Sequence, residues 1–228
     1  MSEKGNQAVK TVSFMMLITL FGKILGMVRE QLLAANYGTD MQAAAFLLAS
    51  RIPRTFFDVI FASAISASFI PVFVEYLQKK GRQEAFSLAN RFITMISTVT
   101  LLMMLLGMAF AKPLTLLIAP GYDVETVTLC VGLLRMLFPT MLFTAVAFSF
   151  VGILQSLEEF NVPAALSVVS NGVLILYYIF FNEKFGILGL TVAFLIGWAM
   201  QAVIQIPSLW KKGYHYHPDF HFKDEGLR

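Results

Sequence analysis

The 228-residue chain is poor in the residues that a water-soluble surface or a disulfide framework needs. Charged residues make up only 14% of it, against about 25% in a typical soluble domain. The single cysteine, Cys130, cannot form a disulfide bond within the chain. Hydrophobic residues make up 57%, and the mean hydropathy is +0.72. These values exclude an ordinary soluble domain and a disordered chain, and they indicate a protein that crosses a membrane several times.

The sequence also lacks the motifs that would indicate catalysis, a cofactor or a nucleic acid. It contains no H-E-x-x-H, no G-x-S-x-G and no phosphate-binding glycine-rich loop, so we predict no enzymatic activity, no catalytic residue and no cofactor. A net charge of +3 is too small to indicate a nucleic-acid partner. The histidines at positions 215, 217 and 221 lie neither in a predicted helix nor in a zinc-finger motif that would fix their positions. We therefore predict a plain polar tail and no metal site.

Long apolar runs divide the chain into six segments separated by short polar connections. They cover residues 12–37, 41–70, 85–111, 124–157, 163–181 and 186–210. About 20 apolar residues are enough for a helix to cross a membrane, and none of the runs alternates as a barrel strand does. We therefore predict an all-α polytopic membrane protein, with six transmembrane helices in residues 1–210. Residues 211–228 would be a cytoplasmic tail or a truncated linker between lobes.

The distribution of basic residues predicts the orientation of the chain. Ten of the seventeen lie in or beside the N-terminus, the second connection and the C-terminal tail: Lys4, Lys10, Lys79, Lys80, Arg82, Arg91, Lys211, Lys212, Lys223 and Arg228. Only Lys112 and Lys184 lie in the first, third and fifth connections. By the positive-inside rule both termini are cytoplasmic, which agrees with an even number of spans.

Five cations lie within the apolar segments, at Lys23, Arg29, Arg51, Arg54 and Arg135. Each costs about 2.5–3.5 kcal/mol at the centre of a membrane helix, so a functional reason is expected for them. Arg135, close to Phe138 and Pro139, leaves two alternatives open: it joins a cavity or it caps a kink. Asn171, in the fifth segment, is expected to hydrogen-bond between helices.

The first segment has one polar face. At about 100° per residue, Gly22, Lys23, Gly26, Arg29 and Glu30 occupy about a third of its helical circumference. The Gly22-x-x-x-Gly26 spacing is more typical of close helix packing than of a binding site.

The second segment repeats this design. Arg51, Arg54 and Asp58 share a face at spacings of i, i+3 and i+7. Pro53 lies among these charges and predicts a locally broken helix that lines a cavity.

Together the two faces carry more positive than negative charge. If they meet around a cavity, the surplus suits a phosphate or pyrophosphate, whose oxygens guanidinium groups bind in a fork. The predicted substrate-binding residues are Lys23, Arg29, Glu30, Arg51, Arg54 and Asp58. In the alternative interpretation these charges form internal ion pairs that fix the register of the helices, and the chain is a membrane scaffold that transports nothing.

Several stretches resemble a known transporter family. GKILGMVRE at residues 22–30, Ala45-Phe46, Arg51-Ile52-Pro53 and SFIPVFVEY at residues 68–76 are similar to the first two helices of MurJ-type (MviN) lipid II flippases, in the MOP exporter superfamily. Later similarities lie at Leu134-Arg135, Phe138-Pro139, residues 152–155, Pro163-Ala164, Asn171 and residues 223–228. The resemblance therefore covers nearly the whole chain.

The resemblance implies a protein of the bacterial cytoplasmic membrane. It would move the lipid-linked peptidoglycan precursor, lipid II, from the inner to the outer leaflet by alternating access. The implied partners are lipid II or a related polyprenyl-pyrophosphate-linked saccharide, and membrane lipids. The family's basic cavity residues match Lys23, Arg29 and Arg51, with lysine at a position where arginine is usual. Two departures are Ala44, where the family often has an acid, and Phe57, where it tends to have arginine.

The length of the chain departs further from the family. Its members have two six-helix lobes and two extra helices, whereas this chain would supply only the N-terminal lobe of a MOP-type two-lobe transporter. The lobe is then a fragment, or it pairs with a second copy or with a separate second half. Two other functions remain open beside the scaffold: export of another polyprenyl-linked saccharide, or export of a drug.

Overall fold

The computed structural model describes residues 3–38, 40–61 and 63–221, with side chains from residue 12 onward. Residues 222–228 of the predicted tail lie outside the described residues. The described chain forms eleven α-helices: α1 Glu3–Tyr37, α2 Met41–Ile60, α3 Ile70–Lys79, α4 Arg82–Ala109, α5 Ala111–Ile118, α6 Val124–Leu137, α7 Thr140–Ser156, α8 Asn161–Ala164, α9 Leu166–Phe180, α10 Asn182–Val203 and α11 Ile206–Lys211. A π-helical turn, Ala64–Phe69, lies between α2 and α3.

Within the residues that the structure describes, six helical stretches are long and apolar enough to cross a membrane. They are Val12–Tyr37, Met41–Lys79, Arg82–Ala109, Val124–Ser156, Asn161–Phe180 and Asn182–Lys211. The all-α architecture with six spans is therefore confirmed. The second span continues to Lys79, beyond the predicted limit at residue 70, because the π-helical turn links α2 to α3 without a polar connection.

The break predicted at Pro53 is wrong. Pro53 is buried inside α2, which continues from Met41 to Ile60. A proline removes one backbone hydrogen bond of a helix, and membrane helices tolerate that loss where neighbouring helices cover the site. The irregular backbone comes later, in the π-helical turn after a stretch rich in serine and alanine.

Close helix contacts hold the bundle together. Helix α1 packs on α9, α2 on α6, and α10 on both α9 and α7. A Cβ added to Gly22 would overlap the Oγ of Ser167, so the absence of a side chain at Gly22 lets α1 approach α9. The predicted packing role of the Gly22-x-x-x-Gly26 pair is confirmed, since Gly26 also lies against α9, at Asn171.

The segment after α11 folds back on α4. Tyr214 is buried, and its hydroxyl donates a hydrogen bond to Asn90 Oδ1 at 2.8 Å. Arg91 Nε lies 2.9 Å from Asp219 Oδ2. Hydrogen bonds from His221, together with the Arg91 guanidinium, lower the pKa of Asp219 to about 2, and burial raises the pKa of Tyr214. This docking was not apparent from the sequence, which suggested a plain polar tail.

Candidate functional site

A cavity of about 280 Å³ opens among α1, α2, α9 and α10, and we call it the cationic cavity. Its charged lining residues are Arg29 and Glu30 from α1, and Arg51 and Arg54 from α2. Phe46, Phe194 and Trp198 are among the apolar side chains that complete its wall. The structure thus brings together four of the six predicted site residues, and two helix faces identified separately in the sequence meet at one cavity.

Arg29 is held by a polar network that joins α1 to α9. Its Nη1 donates to Asn171 Oδ1 at 3.0 Å, and its Nη2 lies 3.3 Å from Glu30 Oε1. Asn171 Nδ2 donates in turn to the backbone carbonyl of Gly22 at 3.1 Å. The predicted interhelical role of Asn171 is confirmed, and the structure adds that this amide fixes the direction of the Arg29 guanidinium.

Arg54 lies between two aromatic rings. Its guanidinium carbon is 5.4 Å from the ring centroid of Phe148 and 5.2 Å from that of Trp198. Its Nε forms a 2.8 Å ion pair with Asp58 Oδ2, one helical turn away. Cation–π contacts of this kind contribute about 0.5–2 kcal/mol. Sequence reasoning missed both rings, because neither Phe148 nor Trp198 belongs to a motif or shares a helix with Arg54.

Arg51 supplies the spare charge of the cationic cavity. Its side chain is exposed to the cavity and makes no hydrogen bond or ion pair with any residue that the structure describes. The ion pairs of Arg29 with Glu30 and of Arg54 with Asp58 each lie within a single helix. Such a pair cannot fix the register between two helices, so these contacts do not support the scaffold interpretation.

Lys23 and Asp58 do not line the cationic cavity. Lys23 is exposed in a separate groove along α1, beside Met16 and Leu20. Residues 23 and 29 are about 120° apart around a helix, so they face different spaces. Asp58 reaches the site only through its ion pair with Arg54.

A second cavity, of about 570 Å³, adjoins the first on the side where α1 and α9 begin, and we call it the neutral cavity. Arg29, Arg54 and Trp198 line both cavities, so the two cations stand where the cavities meet. Its other polar lining residues are Thr19, Gln155, Ser167, Ser170, Asn171 and Gln201. The two cavities form one cleft along the bundle, with the arginines near its middle.

Arg135 lines neither cavity. Its Nε donates to the backbone carbonyl of Met108 at 3.2 Å, in the last turn of α4. Helix α4 ends at the next residue, and α5 begins after Phe110. Of the two alternatives, the structure supports capping. The capped end is that of α4, where the chain breaks before α5, and not a kink in the segment that contains Arg135.

Comparison with known proteins identifies the family. A family model described as lipid II flippase MurJ matches residues 33–228. The chain belongs to the MurJ lipid II flippase family. Among curated MurJ relatives, a probable lipid II flippase MurJ of Buchnera aphidicola from Acyrthosiphon pisum is 31% identical over 215 residues, covering 92% of this chain and 42% of the relative. The lipid II flippase MurJ of Burkholderia cenocepacia is 26% identical over 197 residues, covering 85% and 38%.

Solved structures agree with this membership. A MurJ structure in an inward closed conformation matches with a TM-score of 0.77 and 26% identity, over 93% of this chain and 45% of the other. A MOP superfamily transporter from Pyrococcus furiosus matches with a TM-score of 0.70 and 15% identity, which shows a shared fold. The MurJ-family chain therefore spans less than half the length of the curated relatives and structures it matches, consistent with one lobe of a MOP-type two-lobe fold.

Proposed function

We propose that the chain forms one lobe of a flippase for lipid II or a related polyprenyl-pyrophosphate-linked saccharide, moving it from the inner to the outer leaflet. The supporting observation is the cationic cavity, where three arginines and one carboxylate meet within a bundle of membrane-spanning helices. A pyrophosphate matches this surplus, because its oxygens accept several guanidinium N–H groups at once. The chain's membership of the MurJ family supports the same cargo.

The arginines would have different tasks. Arg51, which has no partner among the described residues, would meet the pyrophosphate directly. Arg29 and Arg54 are already oriented by Asn171 and by the Phe148 and Trp198 rings, and they would bind from fixed directions. Glu30 and Asp58 would retain these two cations when the cargo leaves. Lys23 would attract the headgroup at the outer edge of the cleft, since its groove and the neutral cavity share Met15 and Thr19.

Transport by this site requires no covalent step. The polyprenyl tail would remain in lipid while the headgroup crosses through the cleft, and two lobes would rock about the bound headgroup. Residues 1–210 would form one lobe and residues 211–228 a linker or tail. The opposite wall would come from a second lobe, a second copy of the chain or a separate chain. With both termini cytoplasmic, the neutral cavity would lie on the cytoplasmic side of the arginines.

The test is Arg29→Ala in a two-lobe protein that contains this lobe, reconstituted in vesicles with a fluorescent lipid II. Loss of flipping with normal membrane insertion is expected, because Arg29 lines both cavities. Arg82→Ala serves as the matched control, since Arg82 is an exposed cation at the start of α4 and lines neither cavity. Normal flipping by the Arg29→Ala protein would contradict this role.

Two further experiments separate the alternatives. A strain depleted of its lipid II flippase should grow when it receives the two-lobe protein, whereas failure despite good expression would favour another saccharide lipid or a drug as cargo. Neutralising Arg29 together with Glu30 should abolish transport. A scaffold would tolerate that double change or become more stable, because it would lose two charges from a membrane-spanning helix and has no transport to lose.

A further inference from the structure

The neutral cavity differs chemically from the cationic cavity beside it. Among the described residues that line it, Arg29 and Arg54 are the only charged ones, and both lie at the junction with the cationic cavity. Away from that junction the polar groups are side-chain amides and hydroxyls. Such a wall offers hydrogen bonds but no countercharge, so it suits a neutral polar ligand better than a second anion.

Among the described residues, Gln201 in α10 places an unpartnered side-chain amide in the neutral cavity. Its residue surface is only 7% exposed, and it lines the neutral cavity. Its side-chain amide has no hydrogen-bond partner within the described part of the chain. The amide atoms are accessible from the cavity, so a ligand there can hydrogen-bond to them without displacing a protein partner. The amide of Gln155, on α7, lines the same cavity and makes no side-chain hydrogen bond with the described residues.

Three aromatic rings stand among the apolar side chains that complete this wall. Trp198, Phe148 and Phe160 line the neutral cavity together with these amides. A sugar ring has apolar C–H faces and an edge of hydroxyl groups, and therefore matches a wall of rings and amides. A purely apolar ligand would leave the Gln201 amide unpaired, which is unfavourable in a buried site.

We infer that the neutral cavity is a saccharide subsite, in which Gln201 and Gln155 hydrogen-bond the sugar of a lipid-linked saccharide whose pyrophosphate lies against Arg29 and Arg54. This inference rests on the proposed function, and it adds which part of the headgroup each cavity takes. The subsite begins at the junction where Trp198 contacts Arg54. A headgroup that enters the cleft would therefore contact amides and cations at the same time.

The experiment measures the affinity of the 228-residue chain, in lipid nanodiscs, for two probes. One is the methyl ester of a short-chain polyprenyl pyrophosphate, and the other carries a disaccharide in place of the methyl group, so that both have the same charge. The chain should bind the disaccharide lipid more tightly. Gln201→Leu should weaken binding of that lipid by about two- to tenfold, the effect of losing neutral hydrogen bonds, and leave the sugar-free lipid unaffected. Gln155→Leu, at an exposed position, gives a second variant that does not disturb the core. Gln83→Leu is the matched control, because exposed Gln83 lines neither cavity.

The outcomes distinguish this inference from the proposed function. If both lipids bind with equal affinity, or if both glutamine variants weaken the two lipids equally or not at all, the saccharide subsite is wrong while the pyrophosphate site stands. If neither lipid binds, the proposed function fails and the subsite fails with it. Selective loss of the disaccharide lipid in either glutamine variant supports the subsite.

Discussion

The guanidinium carbon of Arg54 lies 5.2 Å from the ring centroid of Trp198, so a ring from α10 holds a cation from α2 at the junction of two cavities. This contact joins helices that are far apart in the sequence. It holds the arginine where the two cavities meet, so Trp198 is a positioning residue for Arg54 in the proposed binding of a headgroup.

Trp198→Leu should therefore weaken binding of a polyprenyl pyrophosphate by about two- to fivefold, since the lost cation–π contact is worth about 0.5–1 kcal/mol when part of the site stays exposed. Binding is measured by titrating the nanodisc-embedded chain with a fluorescent polyprenyl pyrophosphate. Trp210→Leu is the control, because exposed Trp210 lines neither cavity. Equal affinities for the wild-type and Trp198→Leu chains would show that the ring does not position Arg54.

Gly22→Ala should destabilise the bundle. The new Cβ would overlap the Oγ of Ser167, so this hydroxyl must rotate away or α1 must move from α9. Overpacking of this kind costs about 1–3 kcal/mol, which thermal unfolding in detergent would show as a lower midpoint.

Ser167→Ala in the same chain should restore most of the lost stability, because it removes the overlapping oxygen and leaves a Cβ neighbour at 3.3 Å. Gly121→Ala is the control, since a Cβ there meets no atom within 4 Å. A double variant no more stable than Gly22→Ala would show that the close approach of α1 and α9 does not depend on this pair.

Docking of the segment that follows α11 should depend on pH through Asp219. Hydrogen bonds from His221, and to a smaller extent from Arg91 on α4, lower its pKa from 3.8 to about 2. The part that is due to Arg91 stabilises the docked state above about pH 4, where the carboxylate is ionised. That stabilisation is lost as the pH falls through about 2, when the docked carboxyl takes up its proton. In a Trp198→Phe background, Trp210 fluorescence reports the transition, because Trp210 stacks on His215 of this segment.

Asp219→Asn is the matched control for this transition. It keeps the size of the side chain but cannot titrate, so the fluorescence change between pH 4 and pH 2 should disappear. An identical change in the asparagine variant would assign the transition to other carboxyl groups.

The spans and the cations could be predicted from sequence because they are local properties. Apolar runs located six spans, and helical periodicity placed Arg51 and Arg54 on one face. The rings around Arg54 could not be predicted, since Phe148 and Trp198 reach it only after α2, α7 and α10 pack together. Helical periodicity places Lys23 and Arg29 on one polar arc and predicts one site for both, but the ends of a 120° arc face different spaces.

The continuous helix through Pro53 and the docked tail were missed for related reasons. Local rules treat a proline as a break, yet burial of Pro53 among neighbouring helices keeps α2 intact. The sequence of the tail is polar, and Tyr214 is buried only because the segment folds back on α4, against Phe86 and Asn90.

The central claim, that the cationic cavity binds pyrophosphate through its unpaired charge, is tested most directly by one measurement. It is the dissociation constant of the nanodisc-embedded chain for a short-chain polyprenyl pyrophosphate, compared between the wild type, Arg51→Gln and the control Arg82→Gln. Arg51→Gln should weaken binding by about tenfold or more, because a hydrogen bond to a charged group contributes about 1.5–3 kcal/mol, and Arg82→Gln should match the wild type. Equal affinity of the Arg51→Gln and wild-type chains would contradict the account.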